Sequence, residues 1–249
     1  MVVKPVDLLG AAVHTRDQQP GQDYNWYIKA GDLQLFDQAD EIYRLALRDV
    51  EGEAPKLAVI LKEQRIGLLI GDMPCQRIDH VNREIYETLY LEFDAPQFQK
   101  NVLHAAAMLL LCPKNNYKRY EKHFTDYAET LFYNSSHATH LVLKTVKLPI
   151  VSQQPDFSLI PIEHQKLALF STLENRNRCA RYLIHSTHLN THHFSFISTG
   201  RLNLDKCYQI AHQSEECILL TLSQEAQTEV NLQRSKLSFM LRQKMKFSF

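Results

Sequence analysis

The apolar residues of this chain repeat with two different periods, and this contrast limits the folds that the sequence can adopt. Leu57–Leu61 and Ile66–Ile70 are short apolar runs rich in branched side chains, which predict two strands paired as a hairpin. Arg83–Phe93 alternates aromatic, threonine and aliphatic side chains and predicts a longer strand. In Tyr117–Tyr133, by contrast, the apolar residues recur at the helical spacing. The chain therefore combines strands with helices.

The other segments complete the order of predicted elements. The patterns predict helices at 37–49, 97–112 and 161–184, and strands at 140–148, 194–198 and 217–222. A short helix is expected between the last two strands, and an amphipathic C-terminal helix is expected from Ser223. Residues 71–80 are predicted to be a loop, and Pro149–Pro161 an extended connector. Because strands and helices do not alternate regularly, we predict an α+β fold with a mixed, largely antiparallel sheet flanked by helices.

The composition is that of a chain with ample material for a core. Of its 249 residues, 45% are hydrophobic and 22% are charged. We predict a single α+β domain over 1–249, with any boundary between two lobes in the connector 149–161. The sequence begins without the pattern of a signal peptide. Its longest clean apolar run, Ala105–Cys112, is shorter than the ~20 residues that a membrane span needs.

The cysteines predict the compartment. There are five, an odd number, widely spaced and without a C-x-x-C pair. This pattern indicates reduced thiols rather than disulfides. We therefore expect a soluble, cytoplasmic protein that makes no contact with a membrane.

Charge and glycine content argue against several functional classes. The 28 Lys and Arg residues balance the 28 Asp and Glu residues, which excludes a strongly basic, histone-like nucleic-acid binder. Glycine is scarce, with seven residues, and neither G-x-G-x-x-G nor G-x-x-x-x-G-K-[ST] occurs. The motifs G-x-S-x-G and H-E-x-x-H are missing too. The common nucleotide-binding and serine-hydrolase folds are therefore not indicated, and we expect no cofactor.

Polar residues are concentrated in the segment that follows Ile66–Ile70. Arg77 and Arg83 could bind a phosphate or a carboxylate, because guanidinium donors match planar anions. Their neighbours Asp79, His80 and Glu84 could supply acid–base chemistry or hold the arginines in place, and the polar side chain of Asn82 lies in the same segment. The alternative is an exposed loop with local ion pairs, each worth ~0–1 kcal/mol. We predict that this segment is the main ligand- or partner-binding surface.

Cys75 lies two residues before Arg77, so two interpretations of this thiol are open. The nearby guanidinium could stabilise its thiolate. Otherwise Cys75 is an ordinary loop thiol.

Several histidines are crowded near residue 190, which raises the question of a metal site. Weak candidates for ligands are His185, His188 and His192. A zinc site needs a third and usually a fourth ligand, and the nearest cysteines lack diagnostic spacing. The alternative is a polar helix end, where histidine is well tolerated. We therefore predict no metal site here.

Two His-x-Thr/Ser triplets suggest an enzymatic alternative. His137 with Thr139, and His193 with Ser195, resemble the paired motifs of the two-histidine phosphoesterases. In that family one imidazole acts as base and the other as acid, while the hydroxyl groups orient the phosphate. The resemblance is confined to these triplets, and His185-Ser186-Thr187 fits the same pattern.

A cationic face is predicted at the beginning of the 117–133 helix. Lys118, Arg119 and Lys122 point away from the side that carries the tyrosines. This face either is simply solvated or contacts nucleic acid or an acidic partner. The C-terminal helix likewise either packs on its own core or docks into a partner's groove.

Two functional hypotheses of different classes follow. The first is a non-enzymatic subunit of an intracellular bacterial assembly, of the kind that serves defence or nucleic-acid systems. It would bind an anionic ligand, a nucleic acid or a protein partner through the Arg77–Arg83 segment and the Lys118–Lys122 face. The second is a metal-independent phosphodiesterase that acts on RNA or a nucleotide through His137 and His193. The lack of standard catalytic motifs favours the first.

Overall fold

A computed structural model gives the architecture of most of the chain. It describes residues 6–18, 20–48, 56–111, 114–133, 140–141, 160–162, 166–170, 173–185, 193–200, 204–211 and 216–221. The strands are β1 (Val6–Asp7), β2 (Gly10–Thr15), β3 (Asn25–Gly31), β4 (Leu57–Lys62), β5 (Arg65–Ile78), β6 (Glu84–Asp94), β7 (His140–Leu141), β8 (Ile160–Ile162), β9 (Lys166–Phe170), β10 (His193–Thr199) and β11 (Glu216–Thr221). The helices are α1 (Phe36–Ile42), which continues as a π-helical turn (Tyr43–Leu47), α2 (Ala95–Leu111), α3 (Lys114–Tyr133), α4 (Leu173–His185) and α5 (Leu204–Ala211).

Nine of these strands form one sheet, in the order β3-β2-β6-β5-β4-β10-β11-β9-β8. Neighbouring strands are antiparallel except at β10–β11 and β11–β9, which are parallel. The parallel step from β10 to β11 passes through α5, as a crossover connection requires. The predicted α+β fold with a mixed, largely antiparallel sheet is therefore confirmed. The predicted C-terminal helix, from Ser223, lies outside the described residues.

Helices cover both faces of the sheet, and each face has its own core. On one face, α2, α3 and α4 pack against strand side chains such as Leu68 and Leu91, and Phe124 of α3 is buried in the same core. On the other face, α1, the π-helical turn and α5 pack against residues that include Leu69 and Tyr90. Because side chains alternate along a strand, neighbouring residues of β5 and β6 serve opposite cores. No helix among the described residues is long and apolar enough to span a membrane.

The central hairpin agrees with the pattern that predicted it. β4 and β5 pair antiparallel from Leu57↔Ile70 to Lys62↔Arg65. β6 then pairs with β5 along nearly its whole length and with β2 on its other side. This strand was predicted as 83–93 and runs over 84–94. Its burial on both faces explains the density of large apolar side chains in the sequence.

The predicted loop at 71–80 is wrong, because β5 continues to Ile78. The pairing with β6 survives two irregularities, one between Ile70 and Met73 and one between Pro74 and Ile78. Asp72 has a φ of 53°, which accommodates the first of them. Bulges of this kind place glycine, proline and polar residues in a strand and so remove its alternating pattern.

The predicted helix at 161–184 is also wrong in its first half. Residues 160–162 and 166–170 are strands β8 and β9, and the helix α4 begins only at Leu173. Pro161 lies in β8, which is the last strand in the order of the sheet. Proline is tolerated there because an edge strand leaves one side without ladder hydrogen bonds. The predicted connector falls at 149–161, of which 149–159 lie outside the described residues.

Candidate binding pocket

The polar segment after Ile70 forms the end of the β5–β6 hairpin, and its turn is organised by Asp79. The Asp79 amide donates to the carbonyl of Arg83 at 2.9 Å. The Asp79 carboxylate accepts hydrogen bonds from the backbone amides of Val81 and Arg83, at 2.9 and 2.8 Å. It also accepts from the side chains of Arg16 and Arg83, at 2.6 and 2.9 Å. Burial alone would raise the pKa of Asp79, but the hydrogen bonds from residues 81 and 83 hold it well below its usual range.

Arg77 was predicted to bind an external anion, but the protein itself supplies its partners. The side chain is 4% exposed and lies between two carboxylates. Its Nη2 is 2.6 Å from Glu87 Oε1, and its Nε is 3.1 Å from Glu129 Oε1. Its further contacts are Thr15 Oγ1 at 2.8 Å, the Arg16 carbonyl at 2.7 Å and the centre of the Phe132 ring at 4.2 Å. The guanidinium therefore ties β2, β6 and α3 together.

Two acidic groups beside Arg77 have altered proton affinities. Burial, and then the negative charge of Glu129, raise the pKa of Glu87 to about 7. Burial raises the pKa of the Cys75 thiol to about 12, and backbone hydrogen bonding with Arg77 only partly opposes this. Of the two interpretations of Cys75, the raised pKa favours an ordinary thiol over a stabilised thiolate. Burial exceeds the effect of the nearby guanidinium.

The other polar residues of the turn face solvent. His80, Asn82 and Arg83 are exposed, and Asn82 has a φ of 61°, which suits asparagine in a tight turn. The apolar side chains of Ile78 and Val81 are also more than half exposed beside them. The predicted surface is therefore divided: Arg77 and Asp79 hold the hairpin from inside, and the remaining three residues line its tip.

The structure describes only part of the other predicted sites. Lys122 is exposed on α3, whereas the side chains of Lys118 and Arg119 on that helix lie outside the description. His185 is the last residue of α4. The residues outside the described ranges are His137, Thr139, His188 and His192. The distances among the metal candidates, and those between the two triplets, therefore lie outside the part of the chain that the structure describes.

The described half of the predicted phosphodiesterase site lies on β10. His193 begins this strand and is half-buried, while Ser195 is 1% exposed. The Ser195 hydroxyl is 3.4 Å from Gln38 Nε2. His193 pairs with Lys62, next to the β4–β5 turn. The phosphodiesterase hypothesis stays a prediction.

At the opposite end of β4, aromatic side chains surround a cavity of about 270 Å³. We call this cavity the aromatic pocket. It lies beyond Leu57, on the face of the sheet that carries the π-helical turn, and it collects residues from five separate segments. Its lining residues are His14, Tyr24, Tyr43, Arg48, Asp72 and Tyr86.

Ring contacts fix the inner wall of the aromatic pocket. Tyr24 stacks on His14 with an interplanar angle of 10° and centroids 6.0 Å apart. His14 is 5% exposed, and its Nδ1 shares a hydrogen bond of 3.2 Å with the Tyr43 hydroxyl. Trp26 packs edge-on against His14, with centroids 5.2 Å apart. At the outer wall, the backbone amide of Tyr86 donates to the Tyr24 hydroxyl at 3.0 Å. These contacts hold the rings in place without a ligand.

Charged groups surround these rings. Arg48, an exposed residue at the end of the π-helical turn, is among the lining residues of the aromatic pocket. Asp72 is paired with Lys56, and the Arg16 guanidinium lies 5.0 Å from the centre of the Tyr24 ring. The hydrogen bond from the Tyr86 hydroxyl to Glu84 raises the pKa of that phenol, so it stays a neutral donor at physiological pH. The pocket therefore combines aromatic surfaces with one lining arginine, Arg48, and one lining carboxylate, Asp72, which can hold a planar ligand that carries a charged group.

The sequence analysis missed the aromatic pocket. Its residues are 72 positions apart between His14 and Tyr86, and none belongs to a motif. The one available signal was the run of polar and aromatic residues at 14–27. Compared with known proteins, the chain matches no family model, and it has no significant similarity to a curated sequence or to a solved structure. The function must therefore be argued from the geometry.

Proposed function

We propose that this protein is a non-enzymatic binding protein, and that its aromatic pocket binds a nucleotide unit. The shared chemistry is a planar base with a nearby phosphate, provided either by a free nucleotide or by the end of a nucleic-acid strand. The observation that carries the proposal is the convergence of His14, Tyr24, Tyr43 and Tyr86 with Arg48 around one cavity of about 270 Å³. Stacking on aromatic rings and pairing with guanidinium groups are the usual means of holding such ligands.

Binding is favoured over catalysis by the position of the imidazole in this pocket. His14 is buried, and its Nδ1 is engaged with the Tyr43 hydroxyl. Stacked between other rings, it serves to orient the aromatic wall. A general acid or base needs to come within hydrogen-bond reach of the reacting atoms. The proposal therefore assigns His14 a positioning role.

Trp26 offers a direct test, because it is the only tryptophan of the chain and touches His14 and Tyr43. Its fluorescence should change on titration with adenosine monophosphate, and much less with ribose phosphate or with adenosine. An oligoadenylate with a terminal phosphate distinguishes the two sources of ligand. If it binds at least about tenfold more tightly than the mononucleotide, the site takes strand ends; if it does not, the site takes free nucleotides.

Matched variants locate the binding. Tyr86→Ala and Arg48→Ala remove lining residues, and each should weaken binding by about tenfold or more, since a stacked base contributes ~1–3 kcal/mol. Tyr133→Ala and Arg83→Ala are the controls, because both side chains are exposed and lie outside the aromatic pocket. If adenosine monophosphate leaves the fluorescence unchanged at millimolar concentration, or if the controls weaken binding as much, the proposal fails.

The expected cellular role also belongs to this proposal. As a subunit of an intracellular bacterial assembly, the protein would be recovered from its own host with a nucleic acid or with other chains. The native mass after gentle purification, together with the absorbance ratio of the sample, measures this. Recovery of a bare monomer would contradict the assembly, while the titration with adenosine monophosphate tests the aromatic pocket independently.

A further inference from the structure

A second cluster lies on the other face of the sheet, where α3 packs on β5 and β6. Cys75 comes from β5, Glu87 from β6 and Glu129 from α3. The thiol sulfur and one oxygen of each carboxylate lie within 4.8 Å of one another. Three elements thus bring three potential metal ligands to one point.

Arg77 arranges the two carboxylates in a particular way. It donates to Oε1 of Glu87 and to Oε1 of Glu129. The other oxygen of each group, Oε2, is buried and has no hydrogen-bond partner among the described residues. The Glu87 side chain is 0% exposed, so water cannot easily satisfy this oxygen. A buried carboxylate oxygen without a partner is costly, which indicates that a cation belongs beside it.

We propose that Cys75, Glu87 and Glu129 bind a zinc ion, with Arg77 as the outer-shell residue that orients both carboxylates. Zinc accepts a thiolate and carboxylates in one tetrahedral site. Metal-bound carboxylates are commonly held by a second hydrogen bond to a neighbouring group, which is the role that Arg77 has here. This site is separate from the aromatic pocket and does not depend on the proposed function.

Charge and size both fit zinc. Two carboxylates and a thiolate carry three negative charges, and the ion with the Arg77 guanidinium carries three positive charges. On binding, the protons of Cys75 and of any protonated Glu87 leave to solvent, and the zinc–sulfur and zinc–oxygen bonds form. Ligand atoms around tetrahedral zinc are roughly 3.5 Å apart. The sulfur and the two carboxylate oxygens lie within 4.8 Å of one another. To bind the ion, these three atoms therefore have to move closer together by about one ångström.

A route to solvent is present next to the cluster. A cavity of about 480 Å³ opens beside Glu129, and its lining also includes Arg77, Asp126 and Tyr133. Of the three ligands, Glu129 lines this cavity, which brings solvent to one side of the cluster. Zinc with three protein ligands takes a water molecule at its fourth position, and the cavity beside Glu129 has room for one.

Cobalt serves as the spectroscopic probe for this site. Full-length protein is stripped with a chelator and titrated with Co²⁺, then with Zn²⁺ in competition. We expect one ion per chain, a thiolate-to-cobalt charge-transfer absorption, and a higher Tm with zinc. Cys75→Ala should remove the absorption. Glu129→Gln changes a partly exposed side chain, so the variant should still fold. Removing an outer-shell partner weakens metal binding by ~10–100-fold, and removing a ligand should weaken zinc binding at least as much.

The control is Asp126→Asn, since Asp126 is an exposed carboxylate on the same helix and lines the same cavity. It should leave the cobalt spectrum and the zinc affinity unchanged. The proposal is overturned if the stripped protein binds less than one zinc per chain at micromolar concentration. It is also overturned if Cys75→Ala and Glu129→Gln, both folded by circular dichroism, bind zinc as the wild type does.

Discussion

Arg77 and Glu87 form an ion pair of 2.6 Å between Nη2 and Oε1, with side chains that are 4% and 0% exposed. Removing one partner of a buried pair leaves the other charge without compensation. We therefore expect Arg77→Ala to lower the free energy of unfolding by ~3–5 kcal/mol, measured by urea denaturation.

Arg83→Ala is the matched control for this pair. Its side chain is 65% exposed, although it contacts Asp79 at 2.9 Å, so the expected loss is only ~0–1 kcal/mol. Both arginines belong to the segment that was predicted to bind an anion. Equal losses from the two variants would show that Arg77 is not the buried anchor of this hairpin.

The ring of Tyr90 on β6 lies against Gly67 on β5, and no side chain larger than hydrogen fits there unless the ring moves. A Cβ added at Gly67 would lie 2.7 Å from the Tyr90 hydroxyl oxygen and 2.8 Å from Cε2. We expect Gly67→Ala to cost ~1–3 kcal/mol in urea denaturation, because the buried ring must move. Gly67→Ala should cost less in a Tyr90→Phe background than in the wild type, since that change removes the nearest atom; Tyr90→Phe alone gives the cost of the lost hydrogen bond to Glu92.

The corresponding change at Gly31 separates ring crowding from backbone strain. Gly31 has a φ of 78°, and an added Cβ would collide with the carbonyl oxygen of Leu9. No side-chain change relieves a clash with backbone. If Tyr90→Phe rescued Gly31→Ala as well as Gly67→Ala, the rescue would not be due to the Tyr90 hydroxyl.

Strongly periodic segments were predicted well from the sequence. β6 and α3 differ from the predicted 83–93 and 117–133 by a few residues at the ends, because burial of one or both faces imposes the pattern directly. Segments whose structure depends on tertiary contacts, against their local preference, were predicted poorly. The extension of β5 past Ile70 relies on pairing with β6, and Pro161 is accepted only because β8 is an edge strand.

The candidate sites were less accessible to sequence reasoning than the fold. The pattern located Arg77 in a polar segment but could not show that it points inward to Glu87 and Glu129. The strand period decides this direction, and the bulges in β5 alter the period. The aromatic pocket depends on residues as distant in sequence as His14 and Tyr86, so only the paired strands reveal it.

The pH dependence of stability should depend on Asp79. Although burial opposes it, hydrogen bonding to residues 81 and 83 lowers the pKa of this carboxyl in the folded protein. A group with a lowered folded pKa adds stability above its unfolded pKa, about 3.9, and loses it as the pH falls toward the folded value. We expect Asp79→Asn to be less stable at pH 7 and to lose less stability than wild type between pH 5 and pH 3.

The control for Asp79 is Asp37→Asn, because the Asp37 side chain is exposed at the beginning of α1. Free energies of unfolding at several pH values provide the comparison. If Asp79→Asn and wild type lose stability in parallel on acidification, the turn does not derive its stability from the ionised carboxylate.

Glu92 holds the segment before α1 onto the sheet. Its carboxylate is 0% exposed and accepts hydrogen bonds at both oxygens. Oε1 takes the amide of Gln34 and Arg65 Nη1, both at 3.0 Å, and Oε2 takes the amide of Leu35 and the Tyr90 hydroxyl, also at 3.0 Å. In Glu92→Gln the new NH₂ group faces a backbone donor whichever way the amide turns. We therefore expect a loss of ~3 kcal/mol, as for a broken buried pair.

Asp32→Asn is the appropriate comparison, because Asp32 binds the same Arg65 from a position that is 61% exposed. It should cost ~0–1 kcal/mol. Urea denaturation gives the two losses, and amide hydrogen exchange at Leu35 reports locally, since its protection should fall only in Glu92→Gln. A similar loss in both variants would mean that Arg65, rather than the two backbone amides, is the partner that matters at Glu92.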